Sequence, residues 1–182
     1  MTDYFDLTGK VALVTGGSRG LGYQMVKAFA AHGADIFITS RKPEACEQAA
    51  VEVRALGRKA ATYACNVANW QELDGLVDAA YAAFGKVDIL VNNAAHQATF
   101  KDIGEISDKE WELTFKVNIH AMFYLTKAAA PHMKSGSAIV NTASVNSDMP
   151  NPILLAYATT NCMNIIRCWV FAAVGSRSPF PK

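Results

Sequence analysis

The sequence has few cysteines, almost no net charge and no long hydrophobic run. Its four cysteines among 182 residues form no CxxC pair and show no regular spacing, which favours reduced thiols over a disulfide framework or a zinc site. The net charge is +1 and the basic residues are scattered among the acidic ones, so we expect no nucleic-acid partner. Apolar stretches such as residues 169–174 are too short to span a bilayer, so we expect no membrane partner.

Two further patterns are missing. The first residues include Asp3 and Asp6 and no apolar segment of the kind that secretory signal peptides contain, so we expect a cytoplasmic protein. No histidine is spaced with acids or cysteines as metal ligands are, which favours ordinary surface or helix positions over a metal site. These histidines are His32, His96, His120 and His132.

What the sequence does contain is a regular alternation of aliphatic runs and amphipathic segments. Strands are predicted over residues 10–15, 35–39, 60–65, 87–91 and 137–142. Helices are predicted over residues 20–32, 44–56, 107–134 and 154–174, and after a cap at Asn69. Such alternation predicts one α/β domain with a parallel, doubly wound sheet over residues 1–175, followed by an irregular tail over residues 176–182.

A glycine-rich turn lies between the first predicted strand and the first predicted helix. Gly16 can adopt positive φ and end the strand in a tight turn, whereas Gly20 lets the backbone approach a pyrophosphate. Gly22 lets the helix lie against the strand, and Leu21 belongs to the expected apolar face of that helix with Met25, Val26 and Phe29. The N-terminus of this helix offers N–H groups and a partial positive charge to phosphates, so the turn predicts a dinucleotide site.

The spacing of these glycines, together with Asn92-Asn93-Ala94-Ala95 after the fourth strand, resembles the classical short-chain dehydrogenase/reductase family. The resemblance extends to about Gly175 and implies a Rossmann-type sheet of about five strands in the order 3-2-1-4-5. The last strands of the family fold are expected to be missing. It also implies that Asn93 braces the sheet and lines the cofactor; a simple polar turn is the alternative. The implied cofactor-binding residues are Gly16, Ser18, Arg19, Gly20, Leu21, Gly22, Ser40, Arg41, Asn66, Val67, Asn93, Ala94, Ala95 and Tyr157.

The end of the second strand indicates which cofactor is bound. An NAD site places a carboxylate there for the ribose 2′-OH, whereas an NADP site needs a cation for the 2′-phosphate. The chain has Ser40, Arg41 and Lys42 at this point, with Arg19 in the glycine turn and no acid. A guanidinium suits a phosphate, so NADP is predicted; a solvated basic patch is the alternative. Asn66, where the family usually has Asp, can still accept from adenine through its amide oxygen.

The resemblance also assigns catalytic roles, with one departure. Asn118, Ser144 and Tyr157 match the family's helix asparagine, its serine and its acid–base tyrosine in order and spacing. Four residues after Tyr157, however, Asn161 replaces the usual lysine, and an amide carries no charge to favour the tyrosinate. Lys127 and Lys134 lie elsewhere in the pattern.

Two hypotheses therefore stand. The first is an NADP(H)-dependent oxidoreductase that interconverts a carbonyl and an alcohol on a small molecule, with His96 and Gln97 bordering the substrate pocket. The second is a cofactor-binding or subunit-pairing relative that is impaired in catalysis, because of Asn161 and because the sequence resembles a truncated or frame-disrupted family member. The family resemblance also implies a possible homo-oligomer.

Overall fold

Five parallel strands form a single sheet. The computed structural model of the protein describes residues 5–165. The sheet is ordered β3-β2-β1-β4-β5, which confirms the α/β class and the strand order implied by the family resemblance. Its strands are β1 (Val11–Thr15), β2 (Asp35–Ser40), β3 (Ala60–Ala64), β4 (Ile89–Asn92) and β5 (Ala138–Asn141).

The central strand β1 pairs with β2 on one side and with β4 on the other. Thr15 lies opposite Thr39 of β2, and Val14 lies opposite Val91 of β4. All five residues of β1 are buried, as expected for a parallel strand that is covered on both faces. Because all strands run in the same direction, the residues that follow β1, β2, β3 and β4 meet at one edge of the sheet.

Helices cover both faces of the sheet. Helices α1 (Gly20–Ala31) and α2 (Pro43–Ala55) pack on one face, where Val26 and Val53 belong to the same buried hydrophobic cluster as Val14 of β1. Helices α3 (Gln71–Phe84) and α5 (Ala121–Ala129) pack on the other face, where Leu76 and Leu125 belong to the same buried hydrophobic cluster as Leu13. No helix within residues 5–165 is long and apolar enough to cross a membrane.

The long helix predicted over residues 107–134 is helical without a gap from residue 108 to residue 132, but it is not a regular α-helix throughout. It consists of α4 (Asp108–Phe115), a π-helical turn (Lys116–His120), α5 and a 3-10 turn (Ala130–His132). A π-helical turn adds one residue to a helical turn without changing residue composition, so a 3.6-residue pattern does not reveal it. Asn118 lies in this turn, and its buried side chain bonds both to the His96 backbone after β4 and to the Thr160 side chain.

Three other details differ from the prediction. Trp70, not Asn69, occupies the N-cap of α3, and the Asn69 side chain donates to Glu72 instead. Leu21 is 58% exposed, whereas Met25, Val26 and Phe29 of the expected face do pack in or against the core, together with the buried Gly22 and Ala30. The last helix, α6 (Leu155–Ile165), begins one residue later than predicted. Residues 166–182, which include the predicted helix end, the boundary at 175 and the tail, lie outside the described residues.

Candidate functional site

A hydrogen-bond network ties together the carboxyl ends of β1, β4 and β5. Thr15 Oγ1 accepts from the N–H groups of Asn93 (2.9 Å) and Ala94 (3.0 Å) and donates to the carbonyl oxygen of Val91 (3.1 Å). Asn93 Nδ2 donates to the Thr15 carbonyl oxygen (3.0 Å), and its Oδ1 accepts from Thr142 Oγ1 (3.3 Å). A simple polar turn would not make these contacts across strands. Asn93 is thus a brace at this edge of the sheet.

The glycine turn lies against this brace. Gly16 and Gly20 have positive φ of 65° and 56°, which side-chain-bearing residues rarely adopt. A Cβ atom at Gly22 would lie only 2.4 Å from Asn93 Nδ2 and from the Gly16 carbonyl oxygen, so α1 can approach β4 only without a side chain there. Helix α1 then begins with no side-chain cap and no acid in its first turn. Its first N–H groups therefore suit an anionic ligand.

A cavity of about 740 Å³ opens along this edge, within the range of roughly 300–1,000 Å³ typical of ligand sites. Every residue that the resemblance assigned to the cofactor lines it, from the glycine turn to Tyr157. The other lining residues are Cys65, His96, Leu113, Val117 and Thr142.

The charged side chains that line this cavity, among the described residues, are both cationic. Arg19 and Arg41 line the cavity, and no Asp or Glu does so among the residues that the structure describes. Ser40 lies beside Arg41, with its Oγ 3.0 Å from Cys46 Sγ. Asn66 also lines the cavity, but its Oδ1 already accepts from the Ala68 N–H (3.2 Å). The predicted adenine acceptor thus shares its amide oxygen with its own turn.

Cys65 also lines the large cavity and is buried. Burial, followed by the nearby charge of Glu72, raises the pKa of its thiol to about 12. Cys46, Cys65 and Cys162 are free thiols. Within residues 5–165, no group of three or more His, Cys, Asp or Glu side chains is arranged to hold a metal ion.

The structure distributes the predicted catalytic residues unevenly. Tyr157 lines the large cavity and also a smaller one of about 40 Å³, which Asn118 lines as well. Ser144 lines neither cavity; it precedes a 3-10 turn (Val145–Ser147), and its Oγ accepts from the Asn146 N–H (3.3 Å). Tyr157 and Asn118 are therefore brought together around one pocket, and Ser144 is not.

Asn161 is buried beside Tyr157 with only 3% of its surface exposed. Its Nδ2 donates to the Tyr157 carbonyl oxygen at 2.8 Å, and it lines the smaller cavity. Lys127 and Lys134 are exposed and line neither cavity, so neither replaces the expected ammonium. In the described part of the chain, no lysine or arginine lines the smaller cavity.

A histidine and a glutamate meet at the wall of the large cavity. His96 Nε2 lies 2.6 Å from Glu110 Oε1, and Asn118 binds both the N–H and the carbonyl group of His96. The sequence indicated His96 as a pocket residue but gave no reason to select Glu110, which lies 14 residues later in α4. Thr15 was also missed, although a threonine that ends a buried strand next to a glycine turn is a detectable pattern.

Comparison with known proteins identifies the family. The description of the matching family is short chain dehydrogenase, and the match covers residues 10–162. The chain belongs to the short-chain dehydrogenase family. An uncharacterized oxidoreductase of Schizosaccharomyces pombe is 40% identical over 157 residues, covering 85% of this chain and 54% of that protein. The NADPH-dependent aldehyde reductase 1 of Arabidopsis thaliana, a chloroplastic protein, is 36% identical over 161 residues, covering 85% of this chain and 56% of that protein.

Solved structures agree with this assignment. A short chain dehydrogenase from Burkholderia cenocepacia in complex with NADP superposes with a TM-score of 0.83 and 35% identity over 87% of this chain and 65% of that one. A 3-ketoacyl-(acyl-carrier-protein) reductase from Brucella melitensis complexed with NADH gives 0.83 and 32% over 88% and 68%. The chain spans about half the length of the curated relatives it matches, 54% of the first two.

Proposed function

We propose that this chain supplies the cofactor site of an NADP(H)-dependent oxidoreductase that interconverts a carbonyl and an alcohol. The observation that carries the proposal is the large cavity at the carboxyl edge of the sheet, in which two arginines and no carboxylate line the wall. Membership in an oxidoreductase family supports the reaction class, and the wall of the cavity supports the choice of cofactor.

The cofactor fits the donor groups that are present. The uncapped first turn of α1 suits the pyrophosphate, since its N–H groups and helix dipole favour an anion. Ser40 ends β2 and Arg41 follows it, where they would bind the 2′-phosphate, and Arg19 adds a second guanidinium. A carboxylate at this point would repel that phosphate, and none lines the cavity in the described part of the chain. The relatives' structures include both NADP and NADH complexes, and the positive charge of this wall is our reason for proposing NADP.

The remaining wall would position a substrate. When bound, NADP(H) supplies or accepts a hydride at its nicotinamide ring. Tyr157, on the same cavity, is the hydroxyl group that we assign to proton exchange with the substrate oxygen. Asn118 holds this region in place, because its Nδ2 donates to Thr160 Oγ1 (3.0 Å), which in turn donates to the Tyr157 carbonyl oxygen (2.8 Å). Ser144 retains only the role that the family resemblance gave it.

Binding of the two cofactors to the purified chain tests the proposal. We expect NADPH to bind at least tenfold more tightly than NADH, measured by nicotinamide fluorescence. Arg41→Ala should weaken NADPH binding by roughly 10- to 100-fold, the equivalent of one charge-assisted contact of about 1.5–3 kcal/mol, and leave NADH almost unchanged. Lys42→Ala is the matched control, since this neighbouring cation is exposed and does not line the cavity.

Two results would overturn the assignment. Equal affinity for NADPH and NADH, or equal losses in the Arg41 and Lys42 variants, would mean that the basic residues form a solvated patch. Tight NADPH binding without turnover of any ketone or aldehyde would keep the cofactor site but point to the second candidate, a cofactor-binding relative without catalysis. The observation behind that candidate is the buried amide of Asn161 beside Tyr157.

A further inference from the structure

The His96 ring is held at the cavity wall by two separate contacts. Its Nε2 lies 2.6 Å from Glu110 Oε1, and the two side chains are only 27% and 22% exposed. Asn118 fixes the backbone of the same residue, because its Oδ1 accepts from the His96 N–H (2.8 Å) and its Nδ2 donates to the His96 carbonyl oxygen (3.0 Å). A ring restrained in this way can contact a ligand at little further cost in conformational entropy.

His96 and Tyr157 belong to one connected part of the wall. Asn118 bonds to the His96 backbone and to Thr160, and Thr160 bonds to the Tyr157 carbonyl oxygen. Both His96 and Tyr157 line the large cavity, and so do the apolar residues Leu113 and Val117.

Two other polar residues of this wall, Asn93 and Thr142, are already bonded to their neighbours. Asn93 is bonded through its N–H, its Nδ2 and its Oδ1, and Thr142 donates to it. Within residues 5–165, no side chain or backbone group bonds to the Tyr157 hydroxyl or to His96 Nδ1. The Tyr157 hydroxyl and His96 Nδ1 are thus available to a ligand, one for the reacting oxygen and one beyond it.

The chemistry of the pair defines what His96 can recognise. A carboxylate only accepts hydrogen bonds, so Nε2 carries the hydrogen that faces Glu110 and Nδ1 is left for the ligand. Nδ1 accepts a hydrogen bond when the ring is neutral and donates one when the ring is protonated. A hydroxyl group can pair with it in either state, because it both donates and accepts.

We propose that His96 contacts the substrate directly and selects carbonyl compounds that carry a second oxygen as a hydroxyl group, with Glu110 as a positioning residue. This inference rests on the proposed function, since Tyr157 is taken to face the reacting carbonyl. A ligand that lacks the hydroxyl leaves Nδ1 without a partner in a largely buried wall, which penalises that ligand.

Hydroxyacetone and butanone test this, because they differ by a hydroxyl in place of a methyl group. The full chain, with its histidines isotopically labelled, is titrated with each compound by NMR, with and without NADP⁺. The His96 resonances are assigned by their loss in His96→Gln. We expect hydroxyacetone to shift the His96 ring resonances and to bind about tenfold more tightly than butanone, the size of one hydrogen bond.

Variants separate contact from structure. His96→Leu should make the two ligands bind equally, whereas His32→Leu, at the exposed end of α1, should keep the preference. Glu110→Gln keeps an oxygen that can accept from Nε2 and should retain most of the preference, and Glu110→Ala should lose it. NADPH affinity is measured in each variant and should stay within about twofold of the unmodified chain.

The failures of the two proposals are distinguishable. Equal affinity for the two ligands in the unmodified chain, or an unchanged preference in His96→Leu, overturns the role of His96 and leaves cofactor binding intact. Absence of NADPH binding overturns the proposed function, and the titrations without cofactor then decide on His96 alone. Resonances of His96 that do not respond to hydroxyacetone in either series refute direct contact.

Discussion

Replacing Gly22 by alanine tests how tightly the glycine turn packs against Asn93. A Cβ atom at this position would lie 2.4 Å from Asn93 Nδ2 and from the Gly16 carbonyl oxygen, about 1 Å short of an ordinary contact of 3.4 Å. The Gly16 oxygen is backbone next to β1 and cannot swing aside as a long side chain would. Asn93 can move only by losing its bond to the Thr15 carbonyl oxygen (3.0 Å). We therefore expect α1 to be displaced from the sheet.

The size of the effect follows from three contributions. Overpacking of a tight contact costs about 1–3 kcal/mol, and an unsatisfied buried carbonyl costs about as much again. Alanine regains roughly 0.8–1 kcal/mol over glycine through its higher helix propensity. We expect a net loss of about 2–3 kcal/mol in the free energy of unfolding, which lowers the melting temperature by roughly 4–12 °C for a chain of this size.

Thermal and urea unfolding followed by circular dichroism measure this loss, and nicotinamide fluorescence measures the accompanying loss of NADPH affinity. Gly75→Ala is the matched control, because this exposed glycine lies in the middle of α3 and meets only the Tyr63 hydroxyl at 3.3 Å. It should stabilise the chain by about 0.5–1 kcal/mol. A Gly22→Ala protein that is as stable as the unmodified chain and binds NADPH equally well would refute the packing argument.

Two further predictions concern the catalytic end and the thiols. Asn161→Lys should raise turnover of a ketone by tenfold or more and move the activity profile to lower pH. The reason is that an ammonium about 4 Å from the tyrosine oxygen stabilises the tyrosinate by roughly 4 kcal/mol at an effective dielectric near 20. Asn161→Gln should give no gain, and kcat/KM measured against pH checks both variants. Iodoacetamide at pH 8 should label the exposed Cys162 and spare Cys65, whose pKa burial raises to about 12, as mass spectrometry of the labelled peptides would show. The pKa of Cys65 in the folded state lies above its ordinary value of 9.0. The contribution of the Cys65 thiol to stability is therefore complete below about pH 9 and is lost as the pH rises through about 12. Cys65→Ala should flatten the decline of the unfolding free energy at alkaline pH.

The strands of the sheet could be predicted because their residue types suit few other structures. Residues 11–15 form a run of buried aliphatic and β-branched side chains that ends in glycine, and only a strand covered on both faces suits such a run. The glycine turn was predictable for a similar reason, since positive φ at Gly16 and the lack of space at Gly22 both exclude other residues. These constraints are local in sequence, so the sequence displays them.

Contacts between distant segments were harder to predict. The π-helical turn at Lys116–His120 contains Asn118, whose side chain bonds to the His96 backbone 22 residues away in the chain. Glu110 is one of several acids near the start of α4, and only the fold shows that it, and not Asp108 or Glu112, faces His96. The cap predicted at Asn69 was wrong for a local reason, since the Asn69 side chain donates to Glu72, three residues later, and Trp70 is the N-cap of α3.

The residues that we propose for cofactor choice and those that we propose for catalysis lie on different elements. Arg19 follows β1, and Ser40 and Arg41 lie at the end of β2, whereas Tyr157 and Asn161 lie on α6. The first three and Tyr157 line the large cavity, and Asn161 lines the smaller one. Because residues on different elements contact different parts of the ligand, we expect their effects on binding energy to be nearly additive. Combining Arg41→Ala with Asn161→Lys should therefore give the NADPH affinity of the first variant and the turnover gain of the second. Strong coupling between them would mean that one conformational change links the two ends of the cavity.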